Sequence, residues 1–282
     1  MKKILHILIF VLLISAVLCI SASAASWTDT DGRTWNFNYS DSNKTATITG
    51  AELKAGEERT SELNIPAKVY VGSVEYTVTK IGDGAFQCGT SFSSSNALSK
   101  KYFGHVTIPN TVTEIGGSAF AYSAIYGEVV IPNSVTKIGS NAFKGCVGLD
   151  TVIYSSAMDY VPSSCFSGCK ALVEFRTEGL IKTYQGSAFY DCQSLIKIDI
   201  SPNTEKIEGS AFQGCHCISG VLDLRNLKST NNNSPLGGNA FANCYFLEGV
   251  KLGTYDFNIS AFSNCSRLKY FEVDENSKYY SS

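Results

Sequence analysis

The sequence predicts an α/β repeat solenoid, a right-handed stack of short parallel strands alternating with short helical turns and closed by an N-terminal β cap. Three observations carry this. Phenylalanines recur at Phe86, Phe120, Phe143, Phe166, Phe189, Phe212, Phe241 and Phe262, at intervals of 34, 23, 23, 23, 23, 29 and 21 residues. Each ends an Ala-Phe-x-x-Cys-like group, and each such group leads into an alternating apolar run. Self-similarity at a fixed period of this length marks a solenoid, whose units bury their apolar faces only against their neighbours.

Each unit has a strand part and a turn part. In Leu195-Ile-Lys-Ile198-Asp-Ile200, the isoleucines 198 and 200 share one face and Lys197 and Asp199 the other, the pattern of a strand buried on one side. Two more inward positions follow, Val112 and Ile115 in one unit, Val135 and Ile138 in another. Phe and Cys three residues apart then fit the same side of one helical turn. The glycines after Ile115 and Ile138 permit backbone turns that a side chain would resist. Pro109, Pro132 and Pro202 follow strand ends, where a missing amide donor does least harm.

The full pattern is C-x-x-L-x-x-[VIF]-x-[IL]-P-x-x-V-x-x-I-x-x-x-A-F-x-x-C. It resembles the 23-residue leucine-rich repeats of BspA-like surface proteins, over eight successive units from about residue 63 to the end. Cys165 stands where Ala is usual, Ser123 where Cys is usual, and the unit ending at Phe262 is two residues short. The resemblance implies a secreted or cell-surface protein that binds or adheres to host or extracellular-matrix proteins or to other cells.

In chain order, Lys2 and Lys3 precede an apolar run from Ile4 to Ile20 and a small-residue site ending at Ala24, so residues 1–24 read as a secretory signal. No later stretch approaches the ~20 apolar residues that cross a bilayer. Residues 25–62 differ from the repeats: Thr34-Trp-Asn-Phe-Asn-Tyr39 and Thr45-Ala-Thr-Ile-Thr49 flank a polar turn and predict a hairpin. It is read as a β cap over the first coil, a separate ligand-binding role being the alternative. The solenoid then runs over residues 63–282, interrupted by two polar inserts near 89–100 and 228–238. Its last unit, starting at Leu268, is incomplete, and an open strand edge there could pair with another chain.

Composition narrows the function. Without the signal the chain carries 21 basic and 25 acidic residues, a net charge of −4, which argues against general nucleic-acid binding. Of ten cysteines, seven (Cys88, Cys146, Cys169, Cys192, Cys215, Cys244, Cys265) share one inward repeat position. A stacked ladder of free thiols, packed as small apolar groups, is expected in place of a disulfide framework. Cys165 with Cys169, and Cys215-His216-Cys217, have metal-like spacings but lie on core positions or lack a fourth ligand, so no metal site and no cofactor is predicted. His105 and His216, the histidines left after signal removal, fall in different coils, and no catalytic relay forms.

What remains is the outward row of the strands: Thr107, Val130, Ile153, Arg176, Asp199, Asp223, Lys251 and Glu272. At about 4.8 Å per coil, eight coils offer a rigid surface on the order of 40 Å long. Asp199 and Asp223 would be neighbours, as in a sugar-cleaving pair, yet Arg176 beside Asp199 and Glu174 beside Lys197 make ordinary cross-strand charge pairing the simpler explanation. The row is therefore the candidate face for a protein partner, with no catalytic residue assigned. A self-associating cell-envelope scaffold without a host ligand is the alternative.

Overall fold

The computed structural model describes residues 23–52, 60–89, 102–196, 198, 200, 202–228 and 234–274. Most of the expected signal segment, residues 90–101 and 229–233 of the polar inserts, Lys197, Asp199 and residues after 274 lie outside the described residues. Through the middle of the molecule runs a column of eight phenylalanine rings, each 0–5 % exposed. Successive centroids are 5.1–5.8 Å apart and the rings nearly parallel, 4–16° from Phe86 to Phe262. Offset stacking of this kind suits the quadrupole of the rings, and it fixes each coil's height and register on the next.

Three sides surround the column. The first is built of strands: β4 (Thr60–Asn64), β7 (Tyr102–Thr107), β9 (Ala124–Val130), β11 (Gly148–Tyr154) and β13 (Glu174–Thr177) form one parallel sheet. Further along, β16 (Gly220–Leu224), β17 (Leu247–Leu252) and β18 (Tyr270–Val273) form another. Inward residues such as Val129, Val152, Leu222 and Val250 are buried, as the alternating pattern demands.

The second side is a ladder of two-residue strands. β8 (Glu114–Ile115) and β10 (Lys137–Ile138) continue the sheet of β6 (Val74–Ile81); β12 (Tyr160–Val161), β14 (Thr183–Tyr184) and β15 (Lys206–Ile207) form a second ladder. Proline explains the break. The amides of Gly116, Gly139, Gln185, Glu208 and Gly237 each donate to the short strand of the preceding coil, and Pro162, at the same repeat position, has no amide hydrogen to give. Gly116 and Gly139 are needed for closeness: a Cβ on Gly139 would lie 2.6 Å from Gly117 Cα, and one on Gly116 2.6 Å from the Gly82 carbonyl carbon.

The third side corrects an expectation. The Ala-Phe-x-x-Cys groups are not helical turns; among the described residues the one helical element is a 3-10 turn at Ile259–Phe262. The backbone two residues before the ring is left-handed in Ser118, Asn141, Ser164, Ser187, Ser210 and Asn239, with φ of 54–61°. The residue two after it is left-handed too, as at Gly145, Gly168, Asp191 and Asn243. A helix needs consecutive right-handed residues, so these Gly, Asn, Asp and Ser positions stop it. Alternate amides split their work instead. Ala119, Ala121 and Ser123 close turns within their coil, while Ser118, Phe120 and Tyr122 donate to Ser140, Ala142 and Lys144 of the next. Every second donor thus ties coils together, which a helix, spending its amides internally, does not do. The α/β label gives way to a solenoid of strands and turns.

At the N-terminal end β1 (Ser23–Thr28), β2 (Thr34–Ser40) and β3 (Thr45–Ala51) are antiparallel, and β3 joins β6 in parallel. β5 (Lys68–Val71) folds back on β6 through a turn with Gly72 at φ 61°. Sequence reading anticipated the β2–β3 hairpin but neither β1 nor the β5–β6 hairpin. Trp35 and Phe37, each 1 % exposed, belong to the same continuous core as the phenylalanine column.

Candidate binding face

The seven repeat cysteines are free and follow the Phe column. Six of the thiols donate to the phenylalanine carbonyl of the coil before: Cys146 to Phe120, Cys169 to Phe143, Cys192 to Phe166, Cys215 to Phe189 and Cys265 to Phe241, at 3.1–3.2 Å, and Cys244 to Phe212 at 3.4 Å; the seventh, Cys88, donates to Phe86 of its own coil at 3.7 Å. Each of those six carbonyls one coil back also accepts the amide three residues on in its own coil, Ser123 at Phe120 and a cysteine at the others, so the thiol fills its second lone pair. Burial pushes the Cys169, Cys192 and Cys215 thiols far above the usual range, the opposite of a reactive cysteine. Among the described residues no three His, Cys, Asp or Glu converge on a metal position.

The outward row is where chemistry is left over. Val130, Ile153 and Arg176 stand in register across β9, β11 and β13. Asp223, Lys251 and Glu272 stand in register across β16, β17 and β18. Thr107 sits opposite Asn64 on β7, and Asp199 lies outside the described residues. Among the described residues the row is two runs on two sheets. Arg176 turns to Glu174 on its own strand, with Nε and Nη2 both 2.6 Å from the carboxylate, a fork of two parallel bonds; the pairing expected with Asp199 lies outside the described residues.

The second run is likewise paired. Arg225 grips Asp223 from Nε at 2.9 Å and Nη2 at 2.5 Å, and holds its carboxyl below the ordinary value. Lys251 meets Glu272 at 2.9 Å across the strands. The fork keeps Asp223 ionised and matched by a neighbour on its own strand. His105 packs edge-on to Tyr126 at 4.6 Å and His216 stacks on Tyr245 at 4.7 Å, so each histidine is an aromatic partner in its own coil pair.

The first run borders a groove of about 400 Å³ lined by Val130, Ile131, Pro132, Ile153 and Tyr154, with Asn110, Asn133, Ser134 and Glu178 supplying polar atoms. Val130 is 45 % exposed beside it. Sequence reading found Val130 and Ile153 but missed Asn110, Asn133 and Glu178; the signal was the recurring Pro-Asn pair at 109–110 and 132–133.

A stack of parallel strands closed by a phenylalanine column defines a leucine-rich-repeat solenoid. The BspA type leucine rich repeat region matches residues 90–219 and 216–282 in six copies, more than half of the chain, and the chain belongs to that family. No curated protein sequence matches it. Among solved structures, a leucine-rich repeat protein from Eubacterium ventriosum is 22 % identical at TM-score 0.53, over 79 % of this chain and 50 % of its own. One from Bacteroides ovatus is 20 % identical at TM-score 0.51, over 86 % and 76 %. A leucine rich cell surface protein from Faecalibacterium prausnitzii is 23 % identical over 90 % and 96 %, at a TM-score of 0.43 that adds nothing to the argument. These likenesses establish the fold alone.

Proposed function

We propose that the chain acts outside the cell, secreted or on the surface, as a repeat protein that binds a protein partner through its strand face. The partner class is a host, extracellular-matrix or cell-surface protein. The face comprises Thr107, Val130, Ile153, Arg176, Asp199, Asp223, Lys251 and Glu272, on repeats of the BspA type. One observation carries the reading: the strand side alternates exposed aliphatic side chains, Val130 at 45 %, Val173 at 40 % and Val221 at 45 %, with side chains held by ion pairs on a hydrogen-bonded sheet. Rigid, partly apolar surface with pre-oriented charge loses little freedom on binding. The second polar pair, Lys251 with Glu272, would serve register more than affinity.

The test uses the chain without residues 1–24, captured on a sensor and exposed to a panel of purified extracellular-matrix proteins. Saturable binding lost on Val130→Asp with Ile153→Asp, with the denaturation midpoint retained, is the expected result. No binding to any panel member, together with concentration-dependent assembly in sedimentation, would replace this reading by that of a self-associating scaffold.

A further inference from the structure

The groove beside Val130 differs from the rest of the surface in what it leaves unspent. Its floor is aliphatic, formed by Val130, Pro132 and Ile153. Its rim crosses four coils, from Asn110 through Asn133 and Tyr154 to Glu178. Asn133 spends its Oδ1 on the Ser156 amide at 2.8 Å, which fixes the side chain and leaves its NH₂ as a donor. Asn110 occupies the same repeat position one coil earlier, after Pro109.

Charge separates this groove from the other strand sheet. There, Asp223 is matched by Arg225 and Glu272 by Lys251. Here, among the described residues, Arg176 is held by Glu174 in a two-bond fork, and Glu128 and Glu178 lie on neighbouring stretches of the same strand side. Among the described residues Glu178 has no ion-pair partner, and it is exposed at the groove's rim. Among the described residues the surplus at this rim is negative.

We propose that this groove takes a lysine- or arginine-bearing stretch of extended polypeptide, laid along the stack across the coils. The inference rests on the reading of the strand face as a protein-binding surface and names what that face selects. The amide side chains of Asn110 and Asn133, in two successive coils, suit the main-chain amides and carbonyls of an extended chain. Four coils at about 4.8 Å give room for roughly four to five extended residues at about 3.3 Å each. The aliphatic floor takes one apolar side chain, and Glu178 meets the basic one that follows.

Fluorescence anisotropy with two labelled, acetylated pentapeptides decides it: Lys-Val-Lys-Val-Lys, and the same peptide with Glu for Lys. The lysine peptide is expected to bind and the glutamate peptide not. Glu178→Gln should weaken the lysine peptide about threefold to fivefold, Glu178→Lys more, and 0.5 M salt should erase most of the difference, as exposed charge pairs are screened. Thermal melts confirm that both variants fold, since the side chain is exposed. Equal binding of the two peptides, no binding of the lysine peptide, or an unchanged affinity in Glu178→Lys overturns the proposal. If a matrix protein still binds through Val130 and Ile153 while the lysine peptide does not, the basic-peptide inference fails alone; if neither binds, the reading of the face fails with it.

Discussion

The turn side and the strand side of each coil obey different constraints. On the turn side Phe143, Phe166, Phe189 and Phe212 are superposable in role, fully buried and stacked at 5.3–5.5 Å. From Cys146 to Cys265 the repeat thiols make the same bond to the carbonyl one coil back. On the strand side the outward residues change from Val130 and Ile153 to Arg176, then to Asp223, Lys251 and Glu272. The described strands there fall into two sheets. Stacking dictates the first side, because a ring or thiol of another size would spoil the fit of both neighbours. Nothing in the stacking dictates the second, so its residues are free to answer to something outside the molecule.

The largest test of this contrast is alkaline pH. Burial raises the thiols of Cys165, Cys169, Cys192, Cys215 and Cys244 above their ordinary value in the folded chain, while the unfolded chain keeps a thiol pKa of about 8.5. The folded state therefore retains protons that the unfolded state sheds. The thiols' contribution is complete below about pH 8.5 and is lost as pH rises toward the folded values. Each such group adds a slope of about 1.4 kcal/mol per pH unit, and five add about 7, comparable to the total stability of a domain. Urea midpoints should be flat from neutrality to about pH 8.5 and then fall steeply, with unfolding within roughly two units. Cys192→Ala should reduce the slope by about a fifth. A flat profile to pH 11 would show that the column does not bury its thiols.

Next in size is the ring column itself. Phe166 stacks between Phe143 and Phe189 and meets Phe175 edge-on at 5.8 Å. Phe166→Ala should cost about 3–5 kcal/mol by removing the buried ring and leaving a cavity between two coils that cannot both close in. Denaturant titration checks this. A loss below about 1 kcal/mol would mean that the coils collapse onto one another and that the column sets no spacing.

The same division decided what could be read from the sequence. The Phe and Cys positions were legible because packing repeats them at a fixed spacing, and the structure puts them in one column. Their local conformation was misread: Phe-x-x-Cys spacing is compatible with one helical turn, and the distinguishing residues, Ser118, Asn141, Gly145 and Gly168, each look innocuous alone. Only the recurrence of Gly, Asn, Asp or Ser two residues either side of the ring signals left-handed backbone. The break in the short-strand ladder at Pro162 was not legible, since a missing donor there matters only against the partner coil. On the strand face the row itself was legible from alternation. The choice of Arg176 for Glu174 within its own strand was not, because rotamer geometry decides it.

A smaller effect probes how closely the short-strand side is packed. Gly139→Ala would place a methyl 2.6 Å from Gly117 Cα, against backbone that cannot swing away as a side chain can. The cost should be about 1–3 kcal/mol, the range of overpacking in a tight interior. Gly220→Ala is the control: a Cβ there meets nothing within 4 Å, and the residue's φ of 78° makes its cost one of backbone strain alone. Hydrogen exchange distinguishes the two. Only the first should speed exchange of the Gly139 amide, which donates to Ile115.

The smallest expected change in stability is the most telling for function. Val130 is 45 % exposed and pairs in register with Ile153, so Val130→Ser removes apolar surface that folding has left in water. Stability should move by no more than about 0.5 kcal/mol, the usual range for surface substitutions. Any partner that uses the aliphatic floor of the groove should nevertheless bind measurably more weakly, because its own apolar side chain then desolvates a hydroxyl without gaining a hydrogen bond. A substitution that is neutral for the fold and costly for capture is the pattern that distinguishes a recognition surface from a packing surface. A Val130→Ser protein that loses several kcal/mol of stability would place this residue with Phe166 among the positions that stacking dictates.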